Sequence, residues 1–345
     1  MFGTSGIRGP VGDVVTADLA LDVGRAVATD GAETVAVGRD ARDSGRFLLD
    51  AAAAGCRECG ADVIDLGLAA TPTLARSIAR LDADAGIAVT GSHNPPEDNG
   101  LKLWTPSGQA FDTDRRERIT EIIESGGYEY APWDGSGDRR TDDRADAAHA
   151  AAIREAVSDD AAAAIDGLDV VVDVGNGVGS VTADALADLD ASVTTLNAQP
   201  DGSFPGRPSE PTAETLTALC GHVGGTDADL GIAHDGDADR MMAVDETGRF
   251  VPKDVLLALF ARRAVADAGG GVVAAPVDTS QCVDDAIAPA GGRVARTKVG
   301  DVFVAEAATR EKVVFGGEPS GAWIWPDETL CPDGSLAAVK LAALV

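Results

Sequence analysis

The sequence contains few basic residues and no long apolar run, and both deficits limit what it can bind. Its 345 residues carry 57 acidic side chains against 28 basic ones, which gives a formal net charge of −29. Nothing basic is clustered enough to follow a phosphate backbone, which argues against a nucleic acid partner. No stretch approaches the roughly 20 apolar residues of a membrane helix, and the first residues have neither the basic start nor the apolar run of a signal peptide. We therefore expect a cytoplasmic protein without nucleic acid or membrane partners.

Lysine is especially scarce, and the charge balance predicts a protein that works in high salt. The only lysines are Lys102, Lys253, Lys298, Lys312 and Lys340. A chain with so much uncompensated negative charge repels itself in dilute buffer. In about 1 M salt the Debye length falls to about 3 Å, which screens most of this repulsion. We expect a halophile's protein, and a general acidic bias for solubility is the alternative.

Cysteine is also sparse, and its placement does not predict a metal site. The five cysteines are scattered along the chain. Cys56 and Cys59 have the C-x-x-C spacing, but no second pair or histidine pair completes a zinc site. They lie at the end of an alanine-rich helical run, where positions i and i+3 share a face. We expect buried thiols without a metal.

Helical runs and short β-rich runs do alternate along the chain, and they do so in three cycles. Such alternation predicts an α/β architecture with covered sheets. We place the three units at residues 1–145, 150–246 and 247–345. The polar stretch "YEYAPWDGSGDRRTDDRADAA" between the first two looks like a linker. Each unit is close to the usual size of a domain.

The segment "HDGDADR" predicts a metal site at the end of an apolar strand. Asp235, Asp237 and Asp239 alternate with small residues, so three carboxylates can converge on Mg²⁺. A solvated acidic turn is the simplest alternative. An EF-hand loop would place Glu246 correctly but needs glycine where Arg240 stands. An aspartyl-phosphate phosphatase would need a small hydroxyl residue where Asp239 and Arg240 stand.

The stretch "VTGSHNPPEDNGLK" places Ser92 at the tip of another apolar strand. The G-x-S-x-G elbow of a hydrolase is absent, and His93 would point away from Ser92 in an extended chain. Ser92 can instead carry a phosphoryl group, whose negative charge needs a cation such as Mg²⁺. Asn99-Gly100 is expected to turn the chain so that Lys102 returns towards the serine. A purely structural loop is the alternative.

Three further motifs are weaker. "GGEPSG" offers Glu318 and Ser320 amid glycines, which suits hydrogen bonding to neighbouring sugar hydroxyls, although an ordinary turn fits equally well. "TSGIRG" places Arg8 among flexible residues, as phosphate binding requires. "GNGVGS" misses the last glycine of a dinucleotide-binding loop and predicts a tight strand-to-helix turn.

Together, "FGTSGIRG", "TGSHNPPEDNGLK", "DGDADR" and "GEPSG" resemble the α-D-phosphohexomutase family. They stand in the family's order and span the whole chain. The resemblance implies three consecutive α/β/α domains with mixed sheets and an active site in the cleft between them. It also implies a mutase that interconverts hexose 6-phosphate and hexose 1-phosphate through a phosphoserine and a 1,6-bisphosphate. Archaeal-type phosphoglucosamine mutases look most similar. Phosphomannomutase, phosphoglucomutase and a non-catalytic sugar-phosphate-binding relic remain open.

The resemblance also implies a role for each motif residue. The catalytic set is Ser92 as phosphoryl carrier, Lys102 as general acid/base, His93, Arg8 and Arg240. The Mg²⁺ set is the phosphorylated Ser92, Asp235, Asp237 and Asp239. The substrate set for a hexose phosphate is Glu318, Ser320 and Lys298. The family is also compatible with a homodimer.

The sequence departs from the family pattern at four places. Gly91 stands where alanine is frequent, and Asp98 stands where an aromatic residue is frequent. Ala322-Trp323 follows the sugar motif where histidine is frequent, which puts the sugar preference in doubt. Family members also have a fourth, C-terminal domain that holds the substrate's second phosphate. No such segment precedes Val345, so we expect these 345 residues to hold that phosphate weakly.

Overall fold

The computed structural model describes residue 3 and residues 6–345 of the chain. In this part the strands form three separate sheets that follow one another along the sequence. Every sheet contains both parallel and antiparallel strand pairs. Helices cover the sheets, so the expected fold of three α/β/α units with mixed sheets is confirmed.

The first unit is a six-stranded sheet with the order β1-β5-β4-β2-β3-β6. Its strands are β1 (Ile7–Pro10), β2 (Thr34–Arg39), β3 (Asp62–Leu68), β4 (Ala85–Val89), β5 (Asp98–Trp104) and β6 (Arg139–Thr141). Its helices are α1 (Ala17–Thr29), α2 (Gly45–Glu58), α3 (Thr71–Arg80) and α4 (Thr113–Ser125), and α5 (Ala145–Glu155) follows between the first and second units.

Two glycines allow α1 and α2 to pack against each other at close range. A Cβ on Gly24 would lie 2.1 Å from the carbonyl oxygen of Ala52, and one on Gly55 would lie 2.1 Å from that of Leu21. Thr16 begins α1 as its N-cap, since its hydroxyl accepts the amide of Leu19 at 3.1 Å. The paired helices cover one face of the first sheet and bury its apolar side chains.

The second and third units are four-stranded sheets, with the orders β10-β9-β7-β8 and β12-β11-β13-β14. The second unit contains α6 (Asp159–Ile165), β7 (Asp169–Asp173), α7 (Val181–Ala187), β8 (Ser192–Leu196), α8 (Thr217–Val223), β9 (Leu230–His234) and β10 (Met241–Val244). The third unit contains α9 (Lys253–Asp267), β11 (Gly271–Pro276), α10 (Gln281–Ile287), β12 (Gly292–Thr297), α11 (Asp301–Ala308), β13 (Val313–Glu318), β14 (Ala322–Ile324) and α12 (Gly334–Ala342).

One apolar core joins the second and third sheets. Phe260 of α9 packs edge-on against Trp323 of β14, with ring centroids 5.2 Å apart. The indole of Trp323 donates to the carbonyl of Met241 in the second sheet at 2.9 Å. The last helix, α12, packs against α7 and β10 of the second unit. Trp323, which departs from the family pattern, therefore ties these two units together.

The predicted turn at Asn99-Gly100 is wrong, because both residues lie inside strand β5. This strand pairs with β1 on one side and β4 on the other. Gly100 is required by close approach rather than by a turn, since a Cβ there would lie 2.3 Å from the carbonyl oxygen of Ile7. The chain instead reverses before Asp98, in the loop that follows β4.

The stretch expected to be a linker contains structured segments. Arg139–Thr141 is β6, which pairs with β3 at the edge of the first sheet, and α5 begins at Ala145. Helix α5 packs against α3 of the first unit and α7 of the second. The end of this stretch is therefore a helix that packs against both units, and not a linker without structure.

All five cysteines are free, as expected, but they are not all buried. Cys56 and Cys331 are buried, Cys59 and Cys220 are half-buried, and Cys282 is exposed at the start of α10. The expectation of buried thiols, made for the C-x-x-C pair, is confirmed for Cys56 and wrong for Cys59. Burial raises the pKa of Cys56 to about 12, which makes it unreactive. No helix within the described residues is long and apolar enough to cross a membrane.

Candidate active site

The three aspartates of the acidic motif lie in the turn between β9 and β10. Ala238 adopts a left-handed conformation (φ 56°) within this turn, which we call the metal loop (residues 235–239). Asp235, Asp237 and Asp239 are buried, and one oxygen from each lies within 4.8 Å of the others. The Oδ1 atoms of Asp237 and Asp239 are buried without a hydrogen-bond partner among the described residues. This group of oxygens is therefore suited to a hard cation.

Ser92 lies beside the metal loop. Its Oγ donates to Asp235 Oδ2 at 2.7 Å, and its amide donates to the hydroxyl of Thr90 at 2.8 Å. Ser92 is fully buried and has a left-handed backbone, with φ of 50°. That conformation explains why the prediction that His93 points away is wrong. The chain is not extended here, and His93 Nδ1 lies 3.4 Å from Ser92 Oγ.

Lys102 is the cation that partners the metal loop. From β5 its Nζ donates to Asp237 Oδ2 at 2.7 Å and to Asp239 Oδ2 at 2.5 Å. Burial alone would lower the pKa of Lys102, but the two carboxylates outweigh it and raise that pKa. Burial, followed by repulsion from Asp237 and Asp239, raises the pKa of Asp235. Three carboxylates around one ammonium leave the loop with excess negative charge.

Two arginines and a neutral histidine face a cavity of about 460 Å³ next to this cluster. Arg240 donates its backbone amide to Asp235 at 3.2 Å, and its side-chain Nε lies 4.0 Å from Asp239. Arg8 comes from β1, and its Nε is buried without a hydrogen-bond partner in the described part of the chain. Burial and the positive charges of Arg240 and Arg8 lower the pKa of His93 to about 3. His93 is therefore a neutral imidazole at neutral pH.

The sugar motif lines another wall of the same cavity. Glu318 ends β13, and its two carboxylate oxygens accept the amide of Gly300 at 2.8 Å and the hydroxyl of Ser320 at 2.7 Å. Lys298 is not among the residues that line the cavity. It is exposed, and its ammonium lies 5.2 Å from the centre of the Phe303 ring. The structure therefore brings together every residue of the predicted site except Lys298.

Sequence reasoning missed Arg42, which holds the serine loop (residues 91–97) in place. Its fully buried guanidinium donates to the carbonyl oxygens of Ser92 at 2.9 Å, Asn94 at 2.6 Å, Pro95 at 2.5 Å and Asp98 at 3.0 Å. A charged residue three positions after the end of β2, the strand beside β4, was the available signal.

Gly91 and Asp98, which depart from the family pattern at the two ends of this loop, also have structural roles. A Cβ on Gly91 would lie 2.7 Å from Nε of Arg42, so glycine makes room for the guanidinium. Asp98 accepts the side-chain amide of Asn94 at 2.9 Å, which closes the loop. Asp40 pairs with Arg42 at 3.0 Å and accepts the hydroxyl of Thr90 at 2.7 Å. These departures therefore leave the loop well supported.

Ser209 was also missed, and it joins the serine loop to the metal loop. Its hydroxyl donates to the carbonyl of Ser92 at 2.8 Å and accepts the amide of Gly236 at 3.0 Å. Arg207 supports the same region through an ion pair with Asp173 at 2.7 Å. Neither residue belongs to a motif, so no sequence pattern pointed to either one.

Three family models match the chain in succession. Residues 1–129, 147–248 and 252–345 match the alpha/beta/alpha domains I, II and III of phosphoglucomutase/phosphomannomutase. A probable phosphoglucosamine mutase from Methanopyrus kandleri is 47% identical over an alignment that covers 100% of this chain and 75% of the relative. A probable phosphoglucosamine mutase from Methanosarcina barkeri is 45% identical, with coverage of 100% and 77%.

The solved structures agree with these matches. A phosphoglucomutase/phosphomannomutase family protein from Burkholderia thailandensis has a TM-score of 0.88 at 29% identity, covering 100% of this chain and 78% of that one. The three units and the similar proteins define an enzyme of the mutase class. The chain belongs to the phosphoglucomutase/phosphomannomutase family, which confirms the resemblance seen in the four motifs.

Proposed function

We propose that the protein is a phosphoglucosamine mutase, which interconverts glucosamine 6-phosphate and glucosamine 1-phosphate. The observation that carries this proposal is the 2.7 Å contact between the Ser92 hydroxyl and the Asp235 carboxylate, beside a cavity of about 460 Å³. The walls of this cavity come from all three units, as expected for a cleft between domains. The names of the Methanopyrus and Methanosarcina relatives support glucosamine phosphate over mannose or glucose phosphate.

The reaction transfers one phosphoryl group in each direction. Phosphorylated Ser92 gives its phosphoryl to the free hydroxyl of the sugar phosphate. The phosphorus–oxygen bond to Ser92 breaks and a bond to the sugar oxygen forms. The proton of the sugar hydroxyl passes to a general base of the site, and the Ser92 oxygen takes up a proton from a general acid. The resulting 1,6-bisphosphate then reorients, and the Ser92 oxygen takes the other phosphoryl group. Such transfer needs mainly alignment and charge neutralisation, which a buried serine in a fixed loop and two arginines can supply.

Mg²⁺ fits the metal loop because its carboxylate oxygens are hard ligands and two of them lack hydrogen-bond partners within the described residues. Phosphorylated Ser92, Asp235, Asp237 and Asp239 would hold the ion. When bound, it would neutralise negative charge on the phosphoryl oxygens. The division of the chain at residues 1–145, 150–246 and 247–345 belongs to the same proposal, with one motif loop in each unit.

Lys102 and His93 are the groups that we assign to proton transfer. Lys102 is held as an ammonium by Asp237 and Asp239, so it can donate a proton to a sugar oxygen. His93 is neutral and lines the cavity, so it can assist by accepting one. His93 Nδ1 lies 3.4 Å from Ser92 Oγ, and Lys102 contacts two carboxylates of the metal loop beside Ser92. Both groups are therefore placed for proton transfer at the reacting oxygens.

The remaining residues bind the substrate. Arg8 and Arg240 face the cavity and carry the positive charge that a transferring phosphoryl group needs. Glu318 and Ser320 are hydrogen-bonded to each other and can orient sugar hydroxyls. Lys298 directly precedes Val299, which lines the cavity, and we keep it as a contact at the rim.

A mutase assay primed with a 1,6-bisphosphate tests the proposal. Glucosamine 6-phosphate should be converted faster than mannose 6-phosphate or glucose 6-phosphate, and Ser92→Ala should abolish conversion. Ser136→Ala, at an exposed serine, is the matched control and should behave as wild type. A preference for mannose or glucose phosphate would replace the proposed substrate. Equal conversion by Ser92→Ala would contradict the phosphoserine mechanism.

A further inference from the structure

The walls of the active-site cavity carry opposite charges. The first two units contribute Arg8 and Arg240, together with the neutral His93. The third unit contributes acidic side chains, including Asp278 and Asp301. Glu318 on this wall is assigned to sugar hydroxyls, whereas the additional carboxylates of Asp278 and Asp301 would repel the anionic end of a sugar phosphate. The acidic wall therefore indicates that the ligand also carries a positive charge.

The carboxylates of this wall differ in how fully they are used. Both oxygens of Glu318 accept hydrogen bonds from the protein, from Gly300 and Ser320. Asp301 accepts the amide of Val302 at 3.0 Å, and its charge helps raise the pKa of Arg240, which burial opposes. Asp278 is exposed to the cavity side and makes no hydrogen bond or ion pair with any residue that the structure describes. Asp278 is thus a carboxylate of this wall that a ligand can reach without displacing a contact within the described part of the protein.

The sheet places Asp278 at the same edge as the sugar motif. Strands β11 and β13 run parallel as neighbours, with Ala274 opposite Gly316. The carboxyl ends of both strands therefore lie together, and Asp278 follows β11 just as Ser320 follows β13. On the other side, the amide of Val277 donates to the carbonyl of Thr297 at 3.1 Å. Asp278 consequently lines the cavity on the same side as Glu318 and Ser320.

We propose that Asp278 is a specificity-determining residue whose carboxylate binds the ammonium group of an amino sugar phosphate. This inference rests on the proposed function and identifies what selects an amino sugar over its neutral counterpart. A glucosamine phosphate carries an anion and a cation, so it can satisfy both the arginine wall and Asp278. Glucose 6-phosphate has a hydroxyl where glucosamine 6-phosphate has its ammonium, and it offers Asp278 no opposite charge.

The test compares glucosamine 6-phosphate with glucose 6-phosphate on the full chain, by steady-state kinetics and by calorimetric binding. An exposed ion pair is worth up to about 1 kcal/mol, which corresponds to about fivefold in affinity or kcat/KM. Asp278→Asn should therefore reduce the preference for the amino sugar by about fivefold and leave the values for glucose 6-phosphate unchanged. Asp285→Asn removes one exposed negative charge from α10 and should leave both sugars unaffected.

The two measurements separate the possible failures. An unchanged preference in Asp278→Asn, in kinetics and binding alike, would overturn the role of Asp278 while the mutase activity stands. Absence of turnover with either sugar in the wild type would instead contradict the proposed function. In that case calorimetric binding still tests the role of Asp278. The Asp278→Asn variant must show a smaller difference in affinity between glucosamine 6-phosphate and glucose 6-phosphate than the wild type. An equal narrowing by Asp285→Asn would show only a general charge effect and would also overturn it.

Discussion

The hydroxyl of Ser92 lies 2.7 Å from the carboxylate of Asp235, although 143 positions separate the two residues in the chain. Ser92 follows a strand of the first sheet and Asp235 follows a strand of the second, so this contact joins two units. Ser209 bridges the same two loops through the Ser92 carbonyl and the Gly236 amide. The position of the proposed phosphoryl carrier therefore depends on the docking of both units.

Replacing Asp237 by asparagine should weaken metal binding. The variant keeps the shape of the side chain but removes one of three carboxylate charges in the metal loop. The Mg²⁺ concentration that half-saturates turnover should rise at least about tenfold. A titration of activity against Mg²⁺ measures this, and Asp227→Asn, at an exposed aspartate, is the control for net charge. An unchanged Mg²⁺ dependence would show that Asp237 is not a ligand.

Removing the buried arginine that holds the serine loop should strongly destabilise the fold. Arg42→Met leaves the carboxylate of Asp40 buried without its ion pair. Breaking a buried pair in this way costs about 3–5 kcal/mol of unfolding free energy. Urea unfolding measures the loss, and the double variant Asp40→Asn/Arg42→Met should recover part of it.

The matched control for this change lies on the surface. Arg263→Met breaks an exposed pair with Asp267 and should cost less than about 1 kcal/mol. Equal costs for Arg42→Met and Arg263→Met would mean that the buried network around Asp40 contributes little. A double variant as unstable as Arg42→Met alone would mean that the loss comes from packing and the carbonyl contacts.

The alternation of helical and β-rich runs was enough to predict the α/β architecture. The motifs at strand ends predicted most of the site, and the family resemblance supplied the mixed sheets and the role of each residue. Ser92, Asp235 and Glu318 could be predicted because functional side chains often lie at the ends of strands. The contacts of Arg42, Ser209 and the other missed residues depend on tertiary packing. No local pattern reveals such contacts, since the partners lie 50 or 117 positions away.

The two local errors have different causes, which are backbone conformation at Ser92 and strand packing at Gly100. The expected orientation of His93 assumed an extended chain, whereas Ser92 is left-handed, with φ of 50°. Asn99-Gly100 has the composition of a turn, yet Gly100 serves the close approach of a neighbouring strand. Asparagine and glycine suit a tight turn, and glycine also suits a strand that packs closely against its neighbour. Here the pairing of β1 with β5 determines that Gly100 lies in a strand.

Salt should stabilise the protein. The formal net charge of −29 is spread over a single chain, and screening it reduces the repulsion in the folded state. The melting temperature should therefore rise steadily between dilute buffer and about 1 M KCl. A thermal melt near pH 4.3, the sequence pI, is the control, since the rise should be much smaller there. A flat or falling melting temperature at neutral pH would contradict adaptation to salt.

Acid should destabilise the protein through His234. Burial, and then the charge of Arg207, lowers the pKa of His234 to about 4 in the folded state, from an ordinary value of 6.5. Between these values the unfolded chain binds more protons than the folded one, so stability falls as the pH falls from 6.5 towards 4. The loss attributable to this group is about 3 kcal/mol.

Urea unfolding at pH 6.5 and at about pH 4.5 measures the effect. The variant His234→Gln should lose less stability over this range than the wild type, because it has no imidazole to protonate. His222→Gln, at a half-buried histidine of α8, is the control and should lose as much as the wild type. Equal losses in wild type and His234→Gln would contradict the lowered pKa.

Intact-mass analysis tests the central claim most directly, because it detects the phosphoryl group on the enzyme itself. The wild-type chain is incubated with glucosamine 1,6-bisphosphate and Mg²⁺, and a peptide digest locates any added mass. The phosphoserine mechanism predicts one added phosphoryl group, located on Ser92, which glucosamine 6-phosphate then removes. Ser136→Ala should take up the group and Ser92→Ala should not. Absence of the added mass, or its location on a residue other than Ser92, would contradict the proposed mechanism.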